Sequence, residues 1–303
     1  MMDSATRKGL LAAAGAYTIW GLMPVYFKQL TAIGADAVLV HRVVWSVLLL
    51  ALILLLRQRL AILKAVIANR RQLLTLTATA LLIAVNWLIY VWAIHHERLL
   101  EASLGYYINP LLNIGLGFLL LGERLNRRQW LAIALAAIGV AIPLIGLGQI
   151  PWVSLALAGT FAAYGLLRKQ VAVDSISGLL LETLLLLPFA LLYGWWAGIF
   201  PGGQWQAVDG TTQLLLIGVG VITAVPLVFF GTAAQHLRLS TLGFFQYIGP
   251  STTFLLATLV YGEPLTSSRL LTFAFIWGGL ALITLDLWRQ HRAARQAVAP
   301  AAG

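Results

Sequence analysis

The sequence contains no cysteine among its 303 residues. This absence excludes a disulfide-stapled scaffold, thiolate metal sites, cysteine nucleophiles and thiol redox couples. Charged side chains are scarce as well, since Asp, Glu, Lys and Arg make up 10% of the chain, whereas a typical soluble domain contains about 25%. So few charges cannot cover a surface that faces water.

Apolar residues take the place of the missing charge, and they account for 60% of the chain with a mean hydropathy of +0.89. This composition excludes a soluble enzyme, a disordered tail and a collagen-like fibre, and it predicts a membrane protein. The net charge of +10 would point to nucleic acid in a soluble protein. Here we attribute it to basic cytoplasmic loops, and we expect no nucleic-acid partner.

Motifs for catalysis are also missing. The sequence has no H-E-x-x-H, no G-x-S-x-G and no G-x-x-x-x-G-K-[ST] segment, so it indicates no zinc protease, serine hydrolase or self-contained ATP-driven pump. His95-His96-Glu97 lacks metalloprotease spacing, and no ring of like or charged residues indicates a channel filter. We therefore expect no enzyme activity, metal or cofactor, with an intramembrane enzyme as the alternative.

Ten segments are long and apolar enough to cross about 30 Å of hydrocarbon, for which a helix needs about 20 residues. They cover residues 8–30, 36–56, 72–94, 102–122, 129–147, 151–170, 177–199, 211–234, 240–261 and 269–288. The connections between them are short, so we expect no extramembrane domain. The sequence predicts an all-α polytopic membrane protein with ten transmembrane helices.

Basic residues are distributed unequally between the two sides of these spans. Of the 20 Lys and Arg residues, sixteen, Arg168 among them, fall on the side of the N-terminus, three fall on the other side, and Arg42 lies within a span. Because cytoplasmic loops collect Lys and Arg, this bias predicts that both termini are cytoplasmic.

The two halves of the chain match at an offset of about 140 residues. The matching segments are 14–22 with 158–166, 103–106 with 241–244, and 107–110 with 247–250. Each half contains five spans, and an odd number makes the second copy enter the membrane from the opposite face. We therefore predict two inverted five-helix repeats, 1–147 and 150–290, and a cytoplasmic tail, 291–303.

Inverted repeats are typical of secondary transporters, in which the substrate site lies near the midplane and access alternates between the two sides. The small and polar residues within the spans favour this function over a duplicated bundle without transport activity. The expected partners are a small-molecule substrate and the lipid bilayer, and no obligate protein partner is evident.

The starts of the two halves, and a fourth span that runs from a mid-span proline to a terminal Gly-Glu, resemble the EamA family of the drug/metabolite transporter superfamily. Residues 41–46 (HRVVWS), 101–110 (EASLGYYINP) and 239–250 (LSTLGFFQYIGP) are similar to RarD-type permeases within it. The resemblance covers about residues 5–290. It implies a bacterial inner-membrane exporter of small metabolites or drugs, with a cavity lined by spans 1, 3, 4, 6, 8 and 9. The usual label of RarD-type members refers to chloramphenicol.

Aromatic and amide side chains near the midplane are the first candidates for substrate binding. Trp20 lies about 12 residues, or roughly 18 Å, into the first span, and Tyr164 lies at a similar depth in the sixth, entered from the opposite side. In the third span Asn86, Trp87 and Tyr90 share one face. They suit a small zwitterion or an aromatic drug, with packing and helix–helix adhesion as the alternatives.

Two mid-span prolines, Pro110 and Pro250, predict hinges in the fourth and ninth spans, because each frees a backbone carbonyl from its helical bond. A freed carbonyl at membrane depth requires protein or a wet cavity around it. The polar residues beside the two prolines are further candidates for the cavity wall: Tyr107, Asn109, Gln246 and Tyr247.

Charges within the spans are costly and therefore informative. Arg42 could reach the interface, pair with Glu97 or Glu101, or bind a substrate carboxylate. Glu182 is the only carboxylate plainly within a span, so Glu182, or else His41, is the candidate for coupling to protons. Facilitated diffusion fits equally well.

Glu123 and Glu263 end the fourth and ninth spans on opposite faces of the membrane. Each follows its proline by thirteen residues. Their positions predict helix caps or gate salt bridges with a neighbouring Arg.

Overall fold

The computed structural model describes residues 4–200 and 203–298, and these residues form helices with no strand among them. The helices are α1 Ser4–Phe27, extended by a 3-10 turn Lys28–Leu30, α2 Ala35–Leu56, α3 Ala61–Ala68, α4 Arg70–His95, α5 Leu99–Leu121, α6 Arg127–Gly146, α7 Trp152–Gln170, α8 Ser175–Trp196, α9 Gln204–Ala207, α10 Gly210–His236, α11 Leu239–Gln246, α12 Ile248–Leu255, continued by a π-helical turn Leu256–Val260, and α13 Ser267–Val298.

Eight of these helices are long and apolar enough to span a membrane: α1, α2, α4, α5, α6, α8, α10 and the part of α13 up to Asp286. They confirm an all-α polytopic membrane fold. The remaining two predicted spans are also helical, although α7 ends in the polar run Arg168, Lys169 and Gln170, and the segment 240–261 is divided between α11, α12 and the π-helical turn. The count of ten spans stays a prediction.

Three features of the fold were not predicted from the sequence. The short helices α3 and α9 lie in connections between predicted spans, and they occupy corresponding places in the two halves. The ninth predicted span is not one rod, because the chain leaves the helix at Tyr247 before α12 begins. The predicted tail from residue 291 continues α13 as far as Val298, and its last residues lie outside the described part.

Helix ends carry local signals that explain where the rods start and stop. Asn69, Asn126, Asp174 and Asp209 each accept a hydrogen bond from a backbone N–H in the first turn of α4, α6, α8 and α10, respectively. Such side chains satisfy amide groups that have no partner within the helix.

Gly122 and Gly262 follow α5 and the π-helical turn with positive φ angles of 63° and 67°. A side chain at these two positions would be strained, since only glycine adopts this backbone region at little cost. The two Gly-Glu pairs seen in the sequence are therefore matching helix terminators, and they direct Glu123 and Glu263 out of the helical path.

Contacts between helix ends define two ends of the bundle. At the first, which we call the Glu123 end, the carboxylate of Glu123 after α5 accepts from the backbone N–H of Ser240 in α11 at 2.9 Å. Asn126, before α6, donates to Asp286 of α13 at 2.6 Å. The ends of α5 and the membrane-spanning part of α13 therefore lie beside the starts of α6 and α11.

At the opposite end, which we call the Trp152 end, Tyr193 near the end of α8 donates to Asp36 in the first turn of α2 at 2.8 Å. Trp92 near the end of α4 packs on Trp152 at the start of α7, with ring centroids 5.0 Å apart. Successive long helices therefore run in alternating directions between the two ends.

Helix neighbours recur across the two halves. α1 packs on α10 and α12 as α7 packs on α4 and α5, and α2 packs on α10 as α8 packs on α4. Between the halves, α2 lies against α8, α5 against α11 and α6 against α13. A two-fold axis that exchanged the first five spans with the last five would produce this set of neighbours. The division into two repeats stays a prediction, and these contacts fit it.

At Gly21, α1 and α12 approach each other closely. A Cβ atom added at Gly21 would lie 2.5 Å from Cβ of Thr252 and 3.0 Å from the carbonyl oxygen of Gly249. Gly159, within α7, has no such neighbour within 4 Å. A side chain at position 21 would therefore be crowded, whereas one at position 159 would have space, so Gly159 serves as the control for Gly21.

We predict that Gly21→Ala lowers the free energy of unfolding by about 1–3 kcal/mol, because the added methyl group over-packs the contact. Gly159→Ala should be neutral or stabilising by up to about 1 kcal/mol, since alanine is the better helix former. Thermal unfolding of the purified variants in detergent measures both. Equal stability of the two variants would contradict the close approach.

Candidate functional site

Side chains from four helices meet around Arg42. The Nε atom of Arg42 in α2 donates to Thr223 Oγ1 in α10 at 3.1 Å, and the guanidinium carbon lies 4.5 Å from the ring centroid of Trp87 in α4. Tyr90 of α4 and Tyr106 of α5 complete the group, with ring centroids 6.5 Å apart. We call these five residues the Arg42 cluster. It unites three predicted site residues with two that the sequence did not single out.

Tyr106 is the most open member of the Arg42 cluster. It exposes 55% of its surface, although Arg42 and Tyr90 lie within electrostatic range of its hydroxyl group. Tyr106 therefore lies at the edge of the Arg42 cluster with part of its ring uncovered by the protein, whereas Trp87 within the cluster is buried.

Arg42 has no carboxylate partner within the described residues. Neither Glu97 nor Glu101, the partners considered from the sequence, forms an ion pair with it; Glu101 pairs instead with Arg98 at 3.1 Å. The charge of Arg42 is met by the Thr223 hydroxyl group and the face of Trp87 alone.

His41 points away from this cluster, as expected for adjacent residues of a helix. Its Nδ1 atom accepts a hydrogen bond from Trp45 Nε1 at 3.1 Å, and its ring lies 5.5 Å from that of Trp205 in α9. His41 is buried in this contact. It therefore anchors α9 to α2, and it has no contact with the Arg42 cluster.

A second group, which we call the ring cluster, contains the predicted pair Trp20 and Tyr164. They are joined by Phe161 and Phe230, with Trp20 5.6 Å from Phe161 and 5.8 Å from Phe230, and Tyr164 stacked on Phe230 at 5.8 Å. Tyr17 packs against Trp20 at 5.4 Å. The ring cluster links α1, α7 and α10, and within it Trp20 keeps partial exposure while Tyr164 is buried.

Glu182 is fully buried beside the ring cluster, in an ion pair that was not foreseen. Its carboxylate lies 3.4 Å from Nη1 of Arg168, and the two side chains are 0% and 1% exposed. Thr79 and Tyr164 donate to it at 2.7 and 3.2 Å. Arg168, which the sequence analysis counted among the basic residues on the side of the N-terminus, is thus the internal counter-ion of Glu182.

Asn109 and Gln246 meet in a buried group of amides with Asn113. Asn113 Nδ2 donates to Gln246 Oε1 at 2.7 Å and to Asn109 Oδ1 at 2.9 Å, and Asn109 Nδ2 donates to the carbonyl oxygen of Ala158 at 2.9 Å. These bonds join α5, α7 and α11. The amides are used within the protein and are not open to a ligand in this conformation.

The other three polar candidates contact neighbouring helices. Asn86 Nδ2 donates to the carbonyl oxygen of Leu157 at 2.8 Å and to Thr160 Oγ1 at 2.9 Å, which joins α4 to α7. Tyr247 is buried in an apolar cluster with residues of α5, α6, α7 and α13, and its hydroxyl group donates to the carbonyl oxygen of Tyr107 at 3.4 Å. The ring of Tyr107 packs on Phe273 of α13. These contacts correspond to helix–helix adhesion, the alternative to substrate binding.

The two prolines have different surroundings. α5 continues through Pro110 without a break, whereas Pro250 follows the interruption at Tyr247 and lies in the first turn of α12. The helical hydrogen bonding is therefore interrupted beside the proline of the second half alone, and the hinge role of both prolines stays a prediction.

Glu123 and Glu263 differ in their contacts and in their exposure. Glu123 is buried and caps α11, since its carboxylate accepts from the backbone N–H of Leu239 at 2.6 Å and from the N–H and the hydroxyl group of Ser240 at 2.9 and 2.6 Å. Glu263 is 48% exposed and pairs with Arg269 at 2.7 Å. Glu123 also lies 4.0 Å from Nε of Arg238, so a salt bridge with Arg occurs at both ends of the bundle and the helix cap at the Glu123 end.

Two surface clefts lie apart from these groups. One of about 710 Å³ opens at the Trp152 end beside Asp36, Trp92 and Tyr193, and one of about 340 Å³ lies beside Asp174 at the Glu123 end. Neither is lined by a predicted site residue. Among the described residues, no three His, Asp or Glu side chains are grouped so that they could hold a metal ion.

Comparisons with known proteins place the chain in a family. Residues 7–145 match the model of the EamA-like transporter family. A Vibrio cholerae protein named as an uncharacterised transporter is 51% identical over 96% of both chains. The chain belongs to the EamA-like transporter family.

Within this family the resemblance to RarD is confirmed. The Escherichia coli protein RarD is 45% identical over 96% of this chain and 98% of its own length. A Pseudomonas aeruginosa protein named chloramphenicol-sensitive protein RarD is 31% identical over 94% of this chain and 96% of its own. A solved crystal structure with 20% identity superposes with a TM-score of 0.70, covering 94% of this chain and 99% of that one, and supports the fold.

The residues that the sequence reasoning missed carried weak signals. Asn113 follows Asn109 by four residues and Arg168 follows Tyr164 by four, so each lies on the same helix face as a predicted residue. Tyr106 differs, because nothing in the sequence distinguishes it from the adjacent Tyr107, and only packing decides which of the two rings lies beside Tyr90 and Arg42.

We predict that Glu182→Gln destabilises the fold by about 3–5 kcal/mol, because it leaves the buried guanidinium of Arg168 without its counter-ion. The double variant Arg168→Met with Glu182→Leu removes both charges and should lose less stability than Glu182→Gln does. Glu263→Gln, which breaks an exposed pair, should cost at most about 1 kcal/mol. Thermal unfolding in detergent ranks the three, and a Glu182→Gln variant as stable as Glu263→Gln would contradict the internal ion pair.

Proposed function

We propose that this EamA-like chain is a secondary transporter that exports small metabolites or drugs, amino-acid-like or chloramphenicol-like solutes, by alternating access. The relatives are named as transporters or as RarD, and one RarD is named for sensitivity to chloramphenicol. These names favour transport over an intramembrane enzyme or an inert bundle.

The difference between Glu123 and Glu263 is the observation that carries this proposal. The two residues hold corresponding places in the halves, yet Glu123 binds the start of α11 while Glu263 is exposed at the opposite end. Inverted repeats that exchange conformations produce such an inequality, closed at one end and open at the other. In the exchanged state, Glu263 would cap the start of α5 and Glu123 would release α11.

The direction of transport follows from the basic residues. Sixteen of the 20 Lys and Arg residues lie on the side of the N-terminus in the predicted topology, which favours the Glu123 end as cytoplasmic. The present conformation is then closed toward the cytoplasm, and the Arg42 cluster opens toward the outside of the bacterial inner membrane.

Movement between the two states would involve the interruption at Tyr247 and Pro250 beside it. Backbone that leaves the helix at membrane depth is tolerated where protein or a wet cavity satisfies it, and it provides a place for a helix to bend. Pro110, in the unbroken α5, would take the corresponding role when the states exchange.

Coupling to protons and facilitated diffusion both fit this transport cycle. Glu182 is enclosed by Arg168, Thr79 and Tyr164, and His41 by Trp45 and Trp205. A proton-coupled cycle through either group would have to open it to water in another conformation.

The absence of cysteine allows alternating access to be tested by labelling. Ser103 is exposed at the Trp152 end, and its counterpart Thr241 is half-buried at the Glu123 end. We predict that Ser103→Cys reacts with an impermeant maleimide from outside, whereas Thr241→Cys reacts slowly and in inside-out vesicles alone. Adding Glu123→Ala should speed the labelling of Thr241→Cys and slow that of Ser103→Cys.

An exchange of states requires the two labelling rates to change in opposite directions. Simple loosening of the fold would raise both rates, which would contradict an exchange of states. Glu263→Ala serves as the control, since Glu263 holds no helix start in this conformation and its loss should not speed the labelling of Thr241→Cys. Labelling of Ser103→Cys from the cytoplasmic side would overturn the proposed orientation.

Export itself is tested by growth of cells that produce the chain, challenged with a panel of amino acids and drugs that includes chloramphenicol. We expect protection against at least one class of solute, and loss of that protection with an uncoupler would identify a proton-driven cycle. If well-inserted protein protects against no member of the panel and reconstituted protein exchanges none, the proposed function is wrong.

A further inference from the structure

We infer that Arg42 binds the carboxylate of the substrate, and that the substrate is a small monocarboxylate with a flat apolar or aromatic body. This substrate class rests on the transport function proposed above. The inference starts from the state of the Arg42 charge, which differs from that of the other charges inside the bundle.

Most charged groups in the interior of the bundle are neutralised by the protein. Arg168 pairs with Glu182, Glu101 with Arg98, and Asp286 with Arg128. Within the described residues Arg42 has no acidic group within ion-pair distance, and the titratable groups within electrostatic range of it are the neutral hydroxyls of Tyr90 and Tyr106. Because a lone charge within a membrane is unfavourable, a partner from outside the chain is expected.

Arg42 also retains unused hydrogen-bond donors. A guanidinium has five N–H groups, and the contact to Thr223 uses the one on Nε. The N–H groups of the two outer nitrogens have no partner in the described chain, and neither nitrogen is among its sealed, unpartnered polar atoms. They therefore face accessible space, beside the open ring of Tyr106.

The surroundings hold the guanidinium in place. The bond from Nε to Thr223 and the face of Trp87 at 4.5 Å fix its plane. The outer nitrogens then form a fork of the kind that binds both oxygens of a carboxylate. A single fixed guanidinium suits a monoanion; a phosphate monoester would bring nearly two negative charges to one cation.

The rest of the Arg42 cluster favours a flat body over a second charged group. The rings of Tyr90 and Tyr106 lie 6.5 Å apart at 64° to each other, and the ring of Trp87 lies 4.5 Å from the guanidinium carbon of Arg42. These walls can pack against an apolar or aromatic group. Since no carboxylate is near, the ammonium group of an amino acid would find aromatic faces and hydroxyls but no counter-ion.

Three probes that share one skeleton test this inference: 3-phenylpropanoate, phenylalanine and phenethylamine, which carry the carboxylate alone, both groups, and the amine alone. Titration calorimetry with the purified full chain should show binding of 3-phenylpropanoate and no binding of phenethylamine. Phenylalanine should bind no more tightly than 3-phenylpropanoate, because its ammonium group finds no counter-ion.

Variants assign the binding to Arg42. Arg42→Gln should lower the affinity for 3-phenylpropanoate about 10- to 100-fold, as expected for the loss of hydrogen bonds to a charged group. Arg42→Lys should fall between it and the unaltered chain, since it keeps the charge and loses the fork. Arg71→Gln, at an exposed arginine of the Glu123 end, is the matched control and should bind as the unaltered chain does.

The comparison of probes on the unaltered chain does not depend on the variants folding. Equal binding of all three probes, failure of both carboxylates to bind up to their solubility, or unchanged binding in a folded Arg42→Gln variant would each overturn the inference. Counterflow in proteoliposomes separates it from the proposed function. Binding that depends on Arg42 without any exchange would sustain the carboxylate site and refute transport.

Discussion

The cost of an unpaired charge in a membrane organises this structure. Within the described bundle, acidic and basic groups are drawn together across helices: Glu182 to Arg168 between α7 and α8, and Asp286 to Arg128 between α13 and α6. Buried ion pairs contribute little net stability, yet removing one partner strongly destabilises the fold, because the other charge is left buried without a counter-ion. They therefore fix which helices must remain neighbours, and the positions where pairing is left incomplete are the positions available for function.

Pairing and packing are not equal at the two ends of the bundle. Glu123 binds the start of α11 through three hydrogen bonds, while Glu263 makes one exposed ion pair with Arg269. The helices that contain the two prolines also differ: the helix is interrupted at Tyr247, shortly before Pro250, and it is continuous through Pro110. If the two halves exchanged these local structures, the chain would reach a second conformation of related energy, which is the physical requirement for alternating access.

The sequence predicted the fold class and the family well, because apolar composition acts over whole helices. The all-α membrane fold and the EamA family are confirmed, and the Gly-Glu pairs end their helices as expected. Single side chains were harder. Tyr106 and Tyr107 are adjacent and alike, and Arg168 resembles any basic residue at a helix end, so their roles depend on rotation and depth that packing sets. Asn86 and Tyr247 were candidates for the cavity wall, but they contact neighbouring helices.

The described polar groups divide into those that the protein satisfies and those that it leaves open. The amides of Asn109, Asn113 and Gln246 satisfy one another almost completely, and the ring cluster closes on itself around Phe230. Such groups hold helices at fixed distances and have little left to offer a ligand. The Arg42 cluster combines a guanidinium held in place, hydrogen-bond donors without a partner, and the exposed ring of Tyr106. Specific recognition requires just this incompleteness, because a site that satisfies itself gains nothing from a substrate.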